Sequence, residues 1–156
     1  MILWRIATET RDHGADDLSG EGAALYPGRW NAKKIPVVYC ALTLSTAVLE
    51  TAAHIRDGGL PLNRFIVEIH VPPAVWAKRD ELDAASLPGG WDAIPGGQAS
   101  VAFGAQWLRD CGAPILALPS VIVPRERIAL INPRHKLTRR ITATTLERIE
   151  FNRLFR

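Results

Sequence analysis

Apolar positions recur along this chain with two periods, and their alternation predicts a run of short strands interrupted by two helices. Residues 2–7, mostly apolar, predict an opening strand. Residues 8–34 are rich in Gly and Asp and keep no period, which predicts a long irregular loop. Such loops inside a domain are usually functional. The apolar run at 36–41 predicts a strand buried on both faces. Ser45 is a good N-cap for a helix over 46–56, with Ala47, Val48, Leu49, Ala52, Ala53 and Ile55 as its apolar positions. Asp57, Gly58 and Gly59 would stop it. Strict alternation over 63–71 predicts a half-buried strand ended by Pro72 and Pro73.

The stretch 76–97 is punctuated by Pro and Gly and reads as loop. A second helix is expected over 98–111, with Phe103, Trp107 and Leu108 facing inward. Strands follow at 115–118, 121–123 and 128–131, and a final one at 142–151. There is no repeat, linker or low-complexity tract. The pattern predicts an α+β fold in a single domain over residues 1–156, with a mixed or antiparallel sheet.

Composition agrees with a folded protein. The chain has 156 residues, 47% hydrophobic and 22% charged, near the globular norm. No apolar run approaches the ~20 residues needed to span a bilayer, and the first residues lack a secretory layout. Cys40 and Cys111 lie in apolar surroundings and read as reduced, buried thiols of a cytoplasmic protein. No His/Cys spacing suits zinc, so no metal is expected. Net charge is +3 but uneven: residues 1–120 carry 10 Lys and Arg against 13 Asp and Glu, whereas residues 121–156 carry 9 against 3. The basic end is either a solvated face or a contact for an anionic partner.

A few positions carry candidate chemistry. Glu50 shares a helical face with Ala47, Ala53 and His54. It is either a solvent-facing partner of His54 or a carboxylate near the core or at a cleft edge, where it would have to be paired or used. Arg29, between Gly28 and Trp30, is either a surface arginine or a planar fork for phosphate. Tyr39, within an apolar strand, is either a core residue or a stacking wall for a flat ligand. Ser120 breaks two apolar stretches, with no Gly-x-Ser-x-Gly around it. Asn132 to His135 reads as a turn. No glycine fingerprint of a dinucleotide fold and no P-loop is present.

Together these stretches resemble the RES domain family. The matches are Leu3-Trp4-Arg5-Ile6, Gly28-Arg29-Trp30-Asn31, Pro36-Val37-Val38-Tyr39, Ala47-Val48-Leu49-Glu50, His54, Pro119-Ser120 and Asn132-Pro133-Arg134-His135, in family order. Residues 72–97 hold no motif that can be placed. The resemblance implies an ADP-ribosyltransferase-like fold with a split sheet around an NAD cleft. It implies a toxin that degrades NAD by hydrolysis or phosphorolysis, or transfers ADP-ribose to a host protein. It also implies a cognate Xre-type helix-turn-helix antitoxin covering the active site, with DNA reached only through that partner. By position, Arg29, Tyr39, Glu50 and Ser120 match the family's site residues, and Arg5, His54 and Asn132 match more peripheral motifs.

In the expected chemistry Glu50 stabilises positive charge developing on the ribose or also holds its hydroxyls, Arg29 clamps the pyrophosphate or ribose side, Tyr39 stacks on or orients nicotinamide, and Ser120 bonds a phosphate or ribose oxygen. A rival class is a nucleic-acid-binding module or ribonuclease using Arg134, Lys136, Arg139 and Arg140. Against it stand the absence of a recognition-helix pattern and of aromatics among those residues.

Overall fold

A computed structural model describes residues 1–55 and 62–155. Seven strands form one sheet: β1 (Ile2–Ala7), β2 (Val38–Ala41), β3 (Phe65–His70), β4 (Asp80–Glu81), β5 (Ile115–Pro119), β6 (Arg127–Ile131) and β7 (Thr142–Arg148). Their order is β4-β5-β6-β2-β1-β3-β7, antiparallel throughout except for the parallel β4–β5 pair. The chain is therefore one domain with a mixed sheet and flanking helices, as the alternating pattern led one to expect.

The sheet is nearly cut in two. All four residues of β2 pair with β6, and all six of β1 pair with β3. Between β1 and β2 the register holds at a single position, Trp4 opposite Ala41. Beyond it the strands splay, and backbone groups of both face the gap instead of a neighbouring strand.

Alternation sorts the apolar side chains into two cores. Leu3, Val38, Val67, Ile69, Ala129 and Ile131 pack on one face. Leu116, Leu118, Ile128 and Leu130 pack on the other, against Ala105 and Leu108 of the helix Gln98–Asp110. Every residue of β5 is buried, which is why that segment reads as an unbroken apolar run and not as an alternation.

The helices are α1 (Glu21–Leu25), α2 (Leu44–Ala52), α3 (Pro73–Trp76) and α4 (Gln98–Asp110). The supposed irregular loop 8–34 contains α1, and the supposed loop 76–97 contains β4 and a 3-10 turn at Ala84–Ser86. The cap of α2 is Thr43, extended at φ −125°, whose hydroxyl accepts the Thr46 N–H at 3.2 Å; Ser45 sits exposed inside the first turn. Two hydroxyl residues two apart are equally good caps, and the backbone conformation selects between them. α2 ends at Ala52 instead of 56; the expected stop at Asp57–Gly59 lies outside the described residues. Residues 121–123 bend instead of forming a strand, and the Ser120 hydroxyl accepts the N–H groups of Ile122 and Val123. The last strand stops at Arg148 and gives way to a 3-10 turn, Phe151–Phe155. Among the described residues no helix is long and apolar enough to cross a membrane.

Candidate active site

α2 packs on β1, β2 and β6, and so lies across the splayed strands. Its facing is unusual. Leu49 is 44% exposed while the neighbouring Glu50 is half-buried, so an apolar side chain faces water and a carboxylate faces the molecule. Glu50 is held there by Ser120, fully buried just after β5. The Ser120 hydroxyl donates to Glu50 Oε1 at 2.6 Å and accepts the N–H groups of Ile122 (3.1 Å) and Val123 (2.9 Å). A hydroxyl has one proton, and with two N–H groups on its lone pairs that proton is committed to the carboxylate. Among the described residues Glu50 Oε2 has no protein hydrogen-bond partner and no cation is paired with the carboxylate.

The carboxylate opens on a cavity of about 710 Å³ in the split between β1 and β2. That volume suits a sizeable small molecule. Arg5, Arg29 and Arg64 stand on its walls, and Glu50 is the sole acid among the described lining residues. The site thus offers cations for an anionic ligand and one focused negative charge.

Arg29 comes from a loop fixed at several points. Its Nη1 donates to the carbonyls of Trp91 (3.0 Å) and Ala93 (2.7 Å). Asn31, fully buried, accepts the Gly28 N–H at 2.9 Å and the Tyr39 hydroxyl at 2.8 Å, and donates to Ala23 and Ile35 carbonyls. The Trp30 N–H in turn donates to the Tyr39 oxygen at 2.9 Å. A Cβ on Gly28 would stand 2.8 Å from that oxygen, and one on Gly104 of α4 would stand 2.0 Å from the Trp30 carbonyl. Both glycines are therefore required by close approach and press the loop between β2 and α4.

Burial shapes the electrostatics. It raises the Tyr39 phenol above its ordinary range, partly offset by the Trp30 N–H and the Arg29 charge. It pushes the Cys40 thiol up to about 12, partly offset by Arg5. It lowers the Arg5 guanidinium, which Cys40 and Asp17 partly restore; Arg5 Nη1 also donates to the Asp17 carbonyl at 2.8 Å.

Of the residues singled out from sequence, Glu50, Arg29, Tyr39, Arg5 and His54 line the cavity. Ser120 sits behind Glu50 and bonds that carboxylate, whereas a bond to phosphate or ribose was expected of it. His54 does not pair with the Glu50 carboxylate. Its Nδ1 lies 2.6 Å from the Glu50 backbone carbonyl, and its ring is exposed at the rim. Asn132 is not brought to the cavity: it is fully buried, donates to the Leu108 carbonyl at 2.8 Å and accepts the Arg134 N–H at 3.1 Å, tying the end of β6 to α4. An amide that caps a strand end has every partner it needs there.

Sequence reasoning missed Asn31 as the hub of the Arg29 loop, and missed Arg64 and Tyr26 on the wall. Asn31 carried a signal as an amide amid Trp30, Ala32 and Ile35; Arg64 and Tyr26 carried none.

The sequence model for "RES domain" matches residues 2–152. The Prs ADP-ribosylating toxin of Sphingobium sp. (strain YBL2) is 50% identical over 133 residues, covering 85% of this chain and 83% of that protein. A protein named Toxin Res from Photorhabdus laumondii is 33% identical over 151 residues, covering 97% and 93%. Among solved structures, a chain of the M. tuberculosis MbcT-MbcA toxin-antitoxin complex superposes with a TM-score of 0.63 at 17% identity, covering 93% of this chain and 83% of that one.

Proposed function

The chain belongs to the RES domain family, and on that footing we propose that it is the toxin of a toxin–antitoxin pair, an enzyme that breaks the nicotinamide–ribose bond of NAD. The observation that carries the reading is the Glu50 carboxylate, fixed by Ser120 and opening on an arginine-walled cavity. Scission leaves positive charge on the ribose as nicotinamide departs neutral. A carboxylate held at that sugar interacts more strongly with the charged transition state than with the ground state, and this difference is what accelerates the reaction. Pre-orientation by Ser120 removes the need to reorganise during the step. Arg29, braced by two carbonyls, clamps the pyrophosphate, and Arg5 adds positive charge on the β1 wall. The Tyr39 hydroxyl is consumed by Asn31 and Trp30, so its contribution is the face of its ring.

ADP-ribose then passes to water or phosphate. A second reading, transfer to a protein acceptor, is favoured by the name of the Sphingobium relative. The two share every step up to loss of nicotinamide. An Xre-type antitoxin is the partner in this reading, with a segment that plugs the cavity; its purified complex should release nicotinamide far more slowly than the free chain. The reading is tested by incubating NAD with the protein, with and without inorganic phosphate and cell lysate, and analysing products by mass spectrometry. Nicotinamide release with free ADP-ribose or its phosphate supports the first reading, and a modified protein the second. No nicotinamide release under any condition overturns both.

A further inference from the structure

Tyr26 is 84% exposed, yet it lines the same cavity as Glu50 and Arg29. Its backbone is fixed on both sides: its own N–H closes α1 on the Gly22 carbonyl, and two residues later Gly28 is bonded to Asn31. Among the described residues the ring stacks on no other aromatic and its hydroxyl has no hydrogen-bond partner. A large ring carried on a fixed backbone at a cavity wall, with nothing covering it, leaves most of its apolar surface available to a ligand.

The other aromatics of the cavity are already engaged. Trp30 is 1% exposed, stacked on Trp91 and met edge-on by Phe103, and Tyr39 is tied by its hydroxyl into the Arg29 loop. The arginines and Glu50 account for phosphate and ribose, and the Tyr39 ring face offers one stacking surface, which leaves one flat ring of a dinucleotide without a partner. We infer that Tyr26 is a specificity residue that closes over the cavity and stacks on a flat ring of the substrate. The inference rests on the NAD reading above and names what that site uses to hold a ring.

Two rings share this chemistry, the cationic nicotinamide and the neutral adenine. Stacking that persists into the transition state binds both states alike, so its loss falls on KM and leaves kcat nearly unchanged.

The test is steady-state nicotinamide release by the wild-type chain, Tyr26→Ala and Tyr26→Phe. The expected outcome is a KM raised about 5- to 100-fold in Tyr26→Ala with kcat within about threefold, the range for one base on one aromatic, and near wild-type KM in Tyr26→Phe. Inhibition by ADP-ribose separates the rings: weakening in parallel with KM assigns adenine, and unchanged inhibition assigns nicotinamide. A KM unchanged in Tyr26→Ala overturns this inference and leaves the NAD reading standing. Absence of turnover by the wild-type chain refutes the NAD reading and this inference with it.

Discussion

Replacing Ser120 with alanine removes one proton donor and one shared acceptor at a fully buried position. The donor side sets the rate. A hydrogen bond to a carboxylate contributes about 1.5–3 kcal/mol, and at 2.6 Å this one is short. If all of that restraint acts on the orientation of Glu50 in the transition state, kcat/KM falls about 10- to 150-fold. The acceptor side sets the stability. The N–H groups of Ile122 and Val123 lose their partner, but Ile122 is exposed and water replaces the lost bond there. That leaves a cost of about 1–3 kcal/mol, roughly a 3–10 °C fall in Tm for a domain of this size. Nicotinamide release measured well below the new Tm separates the two effects. A stable Ser120→Ala protein with wild-type kcat/KM would refute the reasoning, because Glu50 would then hold its place without help.

Asn132→Ala provides the matching control: it frees the Leu108 carbonyl and should lower Tm by several degrees while leaving kcat/KM intact, and a selective loss of activity would return Asn132 to the substrate. Arg29→Ala should raise KM for NAD at least about tenfold, and Arg29→Lys should not restore it, because an ammonium lacks the fork that grips two carbonyls and still faces a phosphate; a KM unchanged in Arg29→Ala removes it from the cavity's work. Stability should fall with alkaline pH. The Cys40 thiol is raised by burial from 9.0 to about 12, so its contribution is complete below pH 9 and is lost as pH climbs toward 12. Cys40→Ala should flatten part of that fall in Tm, and an identical alkaline slope would refute the assignment. At neutral pH a thiol reagent should label the half-exposed Cys111 and spare Cys40; equal labelling of both would show the β2 core to be open.

Elements whose burial alternates or repeats were legible from sequence. The half-buried strand over 65–70 and the helix over 98–110 appear close to where their patterns placed them, because one face of each meets a core. The inward facing of Glu50 was legible only as one of two options: a carboxylate on the Ala47 face of an apolar helix conflicts with its surroundings, and the half-buried position decides between the cleft and open solvent. The cleft was legible only through the family resemblance, which implied a split sheet, and not from any local pattern. It exists because β2 spends its pairing on β6 and meets β1 only at Trp4 and Ala41, a fact of register carried by no single residue. Tertiary pairing also decided the roles of Ser120 and Asn132. Both are small polar residues at strand ends, alike in sequence, and one faces Glu50 whereas the other faces the carbonyl of Leu108.

The measurement that reaches the central claim most directly is nicotinamide release by Glu50→Gln. The substitution keeps the side chain's shape and an oxygen for the Ser120 hydroxyl while removing the negative charge. The rate should drop about 10²- to 10⁴-fold with Tm nearly unchanged, the range for a positioned charged group. A folded Glu50→Gln protein that releases nicotinamide at the wild-type rate would contradict the account.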